Sequence, residues 1–207
     1  MNGENQSKAY EPAKESESVR MAKEALRRKI WTEARALPGE IFLREGAKIA
    51  KKLESLPELR DAGTVFCFVS TVFEADTHGL IQKLLDAGKR VAVPRCKGDG
   101  VMEAYVIHSL SELCRGHYGI QEPSDAAELI LPEQIELALI PALACGQDGS
   151  RLGQGGGYYD RYLMRAGAVR AALCRDACLF PSIPVSPHDC KMDLIVTETR
   201  LFHSFQR

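Results

Sequence analysis

Apolar positions repeat at helical spacing over residues 22–37, where Leu26, Ile30, Ala34 and Leu37 share one stripe. A second stripe, Phe42, Ile49, Leu53 and Leu56, predicts another helix over 40–56. The pattern then shifts to short unbroken apolar runs. Residues 64–70 read as a strand, 77–87 as a helix carrying Leu80, Ile81, Leu84 and Leu85, and 90–94 as a strand; Gly88 stands where the helix should stop. Strand, helix, strand at this spacing is a βαβ unit, which implies a parallel pair and a right-handed crossover. Runs at 102–107, 136–143, 169–174 and 194–197 complete a sheet, and 158–165 reads as a helix. The fold class expected is α/β: a three-layer sandwich with a mostly parallel central sheet flanked by helices on both faces. Residues 1–20 hold almost no large apolar side chains and are expected to form a flexible N-terminal tail, with 21–207 as one domain.

Composition narrows the function classes. The 207 residues are 45% hydrophobic and 27% charged, and the net charge of −1 gives no electrostatic case for a nucleic-acid partner or an acidic membrane surface. No apolar run approaches the ~20 residues needed to span a bilayer, and the first residues lack the apolar core of a signal peptide. A cytoplasmic location is expected. Seven cysteines in scattered positions argue for reduced thiols rather than a disulfide framework. Cys174, Cys178, His188 and Cys190 lack the paired-knuckle spacing of zinc sites, so buried thiols stand beside zinc as the reading of that group.

The densest chemical signal is Arg151-Leu152-Gly153-Gln154-Gly155-Gly156-Gly157-Tyr158-Tyr159-Asp160-Arg161, between an apolar run at 135–145 and a helical segment. Glycines expose backbone N–H groups and permit positive φ, so such a turn can wrap an anion, and a helix start behind it adds partial positive charge. Arg151 and Arg161 are possible phosphate partners and Asp160 a possible ligand for a hard cation. The alternative is a flexible left-handed turn in which Asp160 merely favours the helix start. Neither the Walker A pattern nor G-x-G-x-x-G fits, since no Gly-Lys-Ser/Thr occurs and Tyr158 stands at the third glycine position. Lys23 and Arg27, four apart near the apolar stripe of the first helix, either cover apolar surface with their stems or border an anionic ligand. Glu74 lies in the loop after the first strand, while Asp76 or Thr77 can cap the following helix. His188 and Asp189 follow Pro187 in a turn, with no serine in a nucleophile-elbow setting to make a triad. Ligands in such sheets collect beyond the strand C-termini, which brings Glu74 and the glycine loop towards one rim.

The glycine segment, preceded by Leu139-Ile140-Pro141-Ala142-Leu143, resembles the signature of the 5-formyltetrahydrofolate cyclo-ligase family. Ordered matches accompany it: Lys23-Glu24-Ala25-Leu26-Arg27, residues 70–77 with Glu74, Pro94-Arg95, Tyr118-Gly119-Ile120-Gln121-Glu122-Pro123, and Ile183-Pro184 to Asp189 with Thr197-Glu198. The resemblance covers about residues 21–207. It implies ATP-dependent cyclisation of 5-formyltetrahydrofolate to 5,10-methenyltetrahydrofolate in one-carbon metabolism, with Mg²⁺ as cofactor, ADP and phosphate as products, and a monomer as the unit.

By the same resemblance, ATP is bound by Lys23, Glu24, Ala25, Leu26 and Arg27 and by Arg151, Leu152, Gly153, Gln154, Gly155, Gly156, Gly157, Tyr158 and Tyr159. Folate contacts fall on Val69, on Glu74 as acceptor for the pterin edge, and on Gln154 to Tyr158 between the two ligands. Arg151, Tyr158 and Asp160 are the implied catalytic residues, and Asp160 with Asp189 the implied metal ligands. Two departures stand out. Some members carry basic residues where Gln154 and Gly156 stand, and many show an aromatic residue and a glutamine where Arg175 and Cys178 stand. The second favours one rival, a non-catalytic nucleotide- or folate-binding protein; the other rival is an ATP-dependent enzyme that shares the nucleotide half but acts on another pterin-like substrate.

Overall fold

The computed structural model describes residues 15–204 except Asp125. Most of the tail expected over 1–20 lies outside the described residues. Its inner end is corrected, because helix α1 spans Glu17–Arg35. Ser16 caps it by accepting the Val19 N–H at 3.3 Å, and Arg20 bonds both Glu17 and Glu24. Capping and i,i+3 or i,i+4 pairs extend a helix without any apolar stripe.

Four more helices are α2 (Gly39–Glu54), α3 (Pro57–Asp61), α4 (His78–Asp86) and α5 (Tyr158–Leu163). The strands before the glycine loop are β1 (Thr64–Cys67), β2 (Arg90–Gly98), β3 (Val101–Ile107), β4 (Leu113–Arg115), β5 (Gln121–Pro123), β6 (Glu128–Ile130), β7 (Leu137–Pro141), β8 (Ala144–Gly146) and β9 (Arg151–Leu152). After it come β10 (Val169–Leu173), β11 (Leu179–Phe180), β12 (Leu194–Val196) and β13 (Leu201–His203). The main sheet has eight strands in the order β13-β12-β10-β7-β1-β2-β3-β6. From β12 to β2 the pairing is parallel; β13, β3 and β6 add antiparallel edges. The β1–α4–β2 unit is the expected βαβ crossover, with Val65 opposite Val91. Gly88, at φ +71°, ends α4 as expected, its N–H bonded to Leu85 O at 2.9 Å.

Side-chain alternation assigns the layers. Val65, Cys67, Leu137, Leu139, Ala171 and Leu173 point to the core shared with α2, α3 and α4. Phe66, Ala138, Ile140, Ala172 and Ile195 point oppositely, towards α1 and α5. Both faces are buried, as the α/β sandwich requires.

Two boundaries differ for physical reasons. The strand expected over 64–70 leaves the ladder at Cys67, because Thr77 captures residues 68–70: its hydroxyl donates to Phe68 O at 2.8 Å and accepts the Ser70 N–H at 3.0 Å. The strand expected over 136–143 ends at Pro141, and the apolar run 135–145 around it is divided between two strands in different sheets. The chain leaves the main sheet at Pro141 and forms β8, which pairs antiparallel with β9 and parallel with β11. Gly149, at φ +85°, closes the β8–β9 turn. The glycine loop therefore comes after a short hairpin rather than a main strand.

Candidate active site

The C-terminal ends of β1, β2 and β7 open onto one cavity of about 510 Å³, within the ordinary range of ligand sites. The glycine loop, the inner face of α1 and Glu122 on β5 complete its wall.

The loop 153–157 is irregular, and two of its glycines are obligatory. Gly155 has φ +101°, and Gly157, at φ +66°, is the left-handed residue that starts α5. The N–H groups of Gly155, Gly156 and Gly157 donate to no protein acceptor among the described residues. α5 has only six residues, so these donors rather than a helix dipole make the loop attractive to anions.

Three cations border the loop. Arg27 Nε donates to Gly153 O at 2.9 Å. Arg151 is buried, bonded to Pro141 O at 3.2 Å and to Asp160 Oδ2 at 2.9 Å, while its Nε has no partner among the described residues. Lys23, only 5% exposed, does not snorkel to water. Its Nζ lies 2.7 Å from Asp189 Oδ2, 3.0 Å from Glu15 and 2.7 Å from Ser186 Oγ. Hydrogen bonds from Ser186 and then Lys23 hold the Glu15 carboxyl below its usual range. Asp160 Oδ1 accepts the N–H of Cys190, the residue after Asp189, at 3.2 Å. Both carboxylates line the cavity beside the cations.

At the other end Glu74 accepts the Thr71 N–H at 2.8 Å and its hydroxyl at 3.0 Å. Burial pushes its carboxyl up, against the hydrogen bonds from Thr71 and Gln154. Burial also raises the Tyr159 hydroxyl, with the nearby Glu74 charge adding to it. Trp31, Phe68 and Val69 give this end its apolar wall. A smaller recess of about 20 Å³ adjoins it, lined by Phe73, Arg175 and Cys178 among others. Arg175 Nε lies 2.5 Å from Glu45, and its guanidinium sits 5.0 Å from the Phe42 ring centre.

A model of the 5-formyltetrahydrofolate cyclo-ligase family matches residues 19–198. The chain belongs to this family. The Escherichia coli K12 5-formyltetrahydrofolate cyclo-ligase is 31% identical over 174 residues, 81% of this chain and 96% of that one. The mouse 5-formyltetrahydrofolate cyclo-ligase is 28% identical over 194 residues, 87% of this chain and 96% of that one. The solution structure of Aquifex aeolicus 5,10-methenyltetrahydrofolate synthetase superposes with a TM-score of 0.81 at 29% identity, covering 90% of this chain and 95% of that one.

The cavity gathers most of the residues singled out in the sequence: Lys23, Arg27, Val69, Glu74, residues 151–160 and Asp189. Glu24, Ala25 and Leu26 do not line it; Glu24 and Ala25 face outward and Leu26 packs on the core. Helical geometry sets only every fourth side chain towards the cavity, and the 23, 27 column continues to Trp31, which that spacing could have revealed. Arg161 lies outside the cavity wall, against the expectation that it faces phosphate. Cys96 carries no sequence signal, and Glu122 stands in the sequence only as part of the ordered match 118–123, with no role attached. Glu122 is buried and accepts the N–H groups of Cys96 at 3.0 Å and His117 at 3.2 Å, while burial and then Glu122 push the Cys96 thiol up to about 11. Cys174 and Cys178 lie in the core, whereas Cys190 sits against Asp160.

Proposed function

We propose that the cavity binds ATP along the glycine loop and 5-formyltetrahydrofolate against Glu74, and that the enzyme closes the folate ring to 5,10-methenyltetrahydrofolate. The observation that carries this reading is the polarity of the cavity. Unbonded loop N–H groups with Lys23, Arg27 and Arg151 stand at one end, and a carboxylate on an aromatic wall stands at the other. The first set matches polyphosphate, and the second matches a flat ring with N–H donors on one edge.

The chemistry explains both halves. A formamide oxygen is a poor leaving group, so its attack on the γ-phosphorus expels ADP and leaves an iminium phosphate on N5. N10 then attacks the formyl carbon, the C–O bond breaks, and phosphate carries the oxygen away with loss of the N10 proton. No enzyme nucleophile is needed; alignment and charge stabilisation suffice. Arg151 is placed to stabilise charge shifting towards the transferred group, and Tyr158 offers a ring face and hydroxyl between the two ligands. Asp160 and Asp189 fit Mg²⁺ as a pair of carboxylates completed by phosphate oxygens and water. Bound there, Mg²⁺ would neutralise the triphosphate. One chain supplies every residue named, so a monomer is the proposed unit. Seven free cysteines suit the reducing cytoplasm, and among the described residues no helix is long and apolar enough to cross a membrane.

Arg175 does not favour the non-catalytic rival, because Glu45 matches its charge at the edge of the folate end. Purified protein with ATP, Mg²⁺ and 5-formyltetrahydrofolate should generate the near-ultraviolet absorbance of the methenyl product. Binding of both ligands without that signal would support the non-catalytic reading, and ADP release only with another pterin would redirect the substrate.

A further inference from the structure

Arg161 stands one helical turn after Gly157 and directs its guanidinium away from the cavity. Its Nε donates to Gly100 O at 2.9 Å and its Nη2 to Gly156 O at 2.5 Å, with the Tyr158 ring centre 5.8 Å away. Gly100 ends the β2–β3 turn, where Gly98, Asp99 and Gly100 all have positive φ. One side chain thus ties together two irregular segments far apart in sequence. Absent Cβ atoms make room for it: one on Gly100 would fall 1.7 Å from Nη2, and one on Gly157 2.8 Å from Nη1.

The tie has a directional consequence. In a planar trans peptide the carbonyl and the following N–H point oppositely. A Gly156 carbonyl held outward by Arg161 therefore turns the Gly157 N–H towards the cavity. Without the tie, a glycine-rich loop has many accessible conformations, and ordering it would be charged against ligand binding. We propose that Arg161 is a positioning residue that pre-orders the glycine loop, so that its backbone donors are already aimed at nucleotide phosphate. The inference rests on the ATP reading above.

ATP and folate binding are measured by titration calorimetry for wild type, Arg161→Ala, Arg161→Lys, Gly100→Ala and the double variant Gly100→Ala with Arg161→Ala, with melting temperatures alongside. Arg161→Ala should weaken ATP about tenfold, roughly 1.4 kcal/mol, while folate affinity stays near wild type. Lysine keeps the charge but cannot donate along two fixed directions as the guanidinium fork does, so Arg161→Lys should bind ATP nearly as poorly as Arg161→Ala. The methyl of Gly100→Ala occupies the guanidinium position, so it should weaken ATP in the wild-type background and add little to Arg161→Ala. These losses should persist at high salt, where a distant exposed charge would be screened. Normal ATP binding by Arg161→Ala or Arg161→Lys overturns the proposal, as does an equal loss of ATP and folate affinity. A wild type that binds no ATP removes the nucleotide reading and this inference with it.

Discussion

Replacing Asp160 by Asn separates its possible roles. As a helix-start residue alone, Asp160 would be worth about 0.3–1 kcal/mol. It also neutralises Arg151, whose side chain is 2% exposed, across 2.9 Å. Asn keeps the shape and one acceptor oxygen but removes the charge, and its NH2 must then face either Arg151 or the Cys190 N–H. Loss of a charge-assisted hydrogen bond typically costs about 1.5–3 kcal/mol. The larger cost of stranding a buried charge, about 3–5 kcal/mol, is not expected because the amide oxygen still accepts. At about 2–4 °C per kcal/mol for a chain of this size, a loss near 2 kcal/mol lowers the melting temperature by roughly 4–8 °C. ATP should recover much of this, since its phosphates give Arg151 a new anion, so the ATP-induced shift should be larger in Asp160→Asn than in wild type. Turnover should collapse, and added Mg²⁺ should restore part of it if the carboxylate holds the metal. Melts without ligand, with ATP and with Mg²⁺–ATP, beside a metal titration of turnover, decide the matter. An unchanged melting temperature would refute the Arg151 pairing, and near-normal rates with wild-type metal dependence would leave the cation to Asp189 or to ATP alone.

The remaining expectations concern the other charges. Lys23→Met should destabilise by up to about 3–5 kcal/mol in chemical denaturation, because Glu15 and Asp189 lose their shared buried cation; the deficit should shrink as pH falls through the lowered Glu15 value and that carboxyl protonates, and wild-type stability would show that the cluster does not form in solution. Arg27→Ala should weaken ATP by roughly ten- to hundredfold, the loss expected for about 1.5–3 kcal/mol, with little change in the apparent folate constant; an effect on folate alone would place Arg27 at the wrong end. Burial raises the Glu74 carboxyl, so its contribution to stability is full below its unfolded value and is lost as pH rises through the folded one. Glu74→Gln should therefore be as stable as wild type or more so at neutral pH, with the advantage vanishing in acid, while the apparent folate constant rises; melts across pH and steady-state kinetics test both halves.

Much of the architecture was legible because strands buried on both faces carry their own signature. Val65, Phe66 and Cys67 can be apolar in succession only if each has a layer to face. The rim rule then brings Glu74 and the glycine loop together without side-chain detail. The departure after Pro141 was illegible, since Leu143, Ala144 and Cys145 are as apolar as the strand before them and the small sheet buries them equally. Side-chain direction was less legible still. An arginine beside a phosphate-type loop reads as a phosphate ligand, yet Arg161 reaches backward to two carbonyls. The partners of Lys23 lie 8 residues before it and 166 after it, separations that no local pattern reveals.

These pairings bear on how the site can work. Lys23 rests on Asp189 and Glu15, and Arg151 rests on Asp160. Burying such cations unpaired would be costly, and these carboxylates supply the balancing charge. A triphosphate entering along the glycine loop offers the same cations stronger, multiply charged acceptors. Each exchange releases a carboxylate already positioned on the cavity wall, where a divalent cation travelling with the nucleotide needs oxygen ligands. On the proposed reading, Asp160 and Asp189 need not choose between structural and metal-binding roles: charge balance would give them the first without nucleotide and free them for the second once phosphates pair with Arg151 and Lys23. A double variant, Asp160→Asn with Asp189→Asn, should then lose stability without ligand and metal dependence with it. Retention of wild-type Mg²⁺ dependence in that variant would break the exchange reasoning.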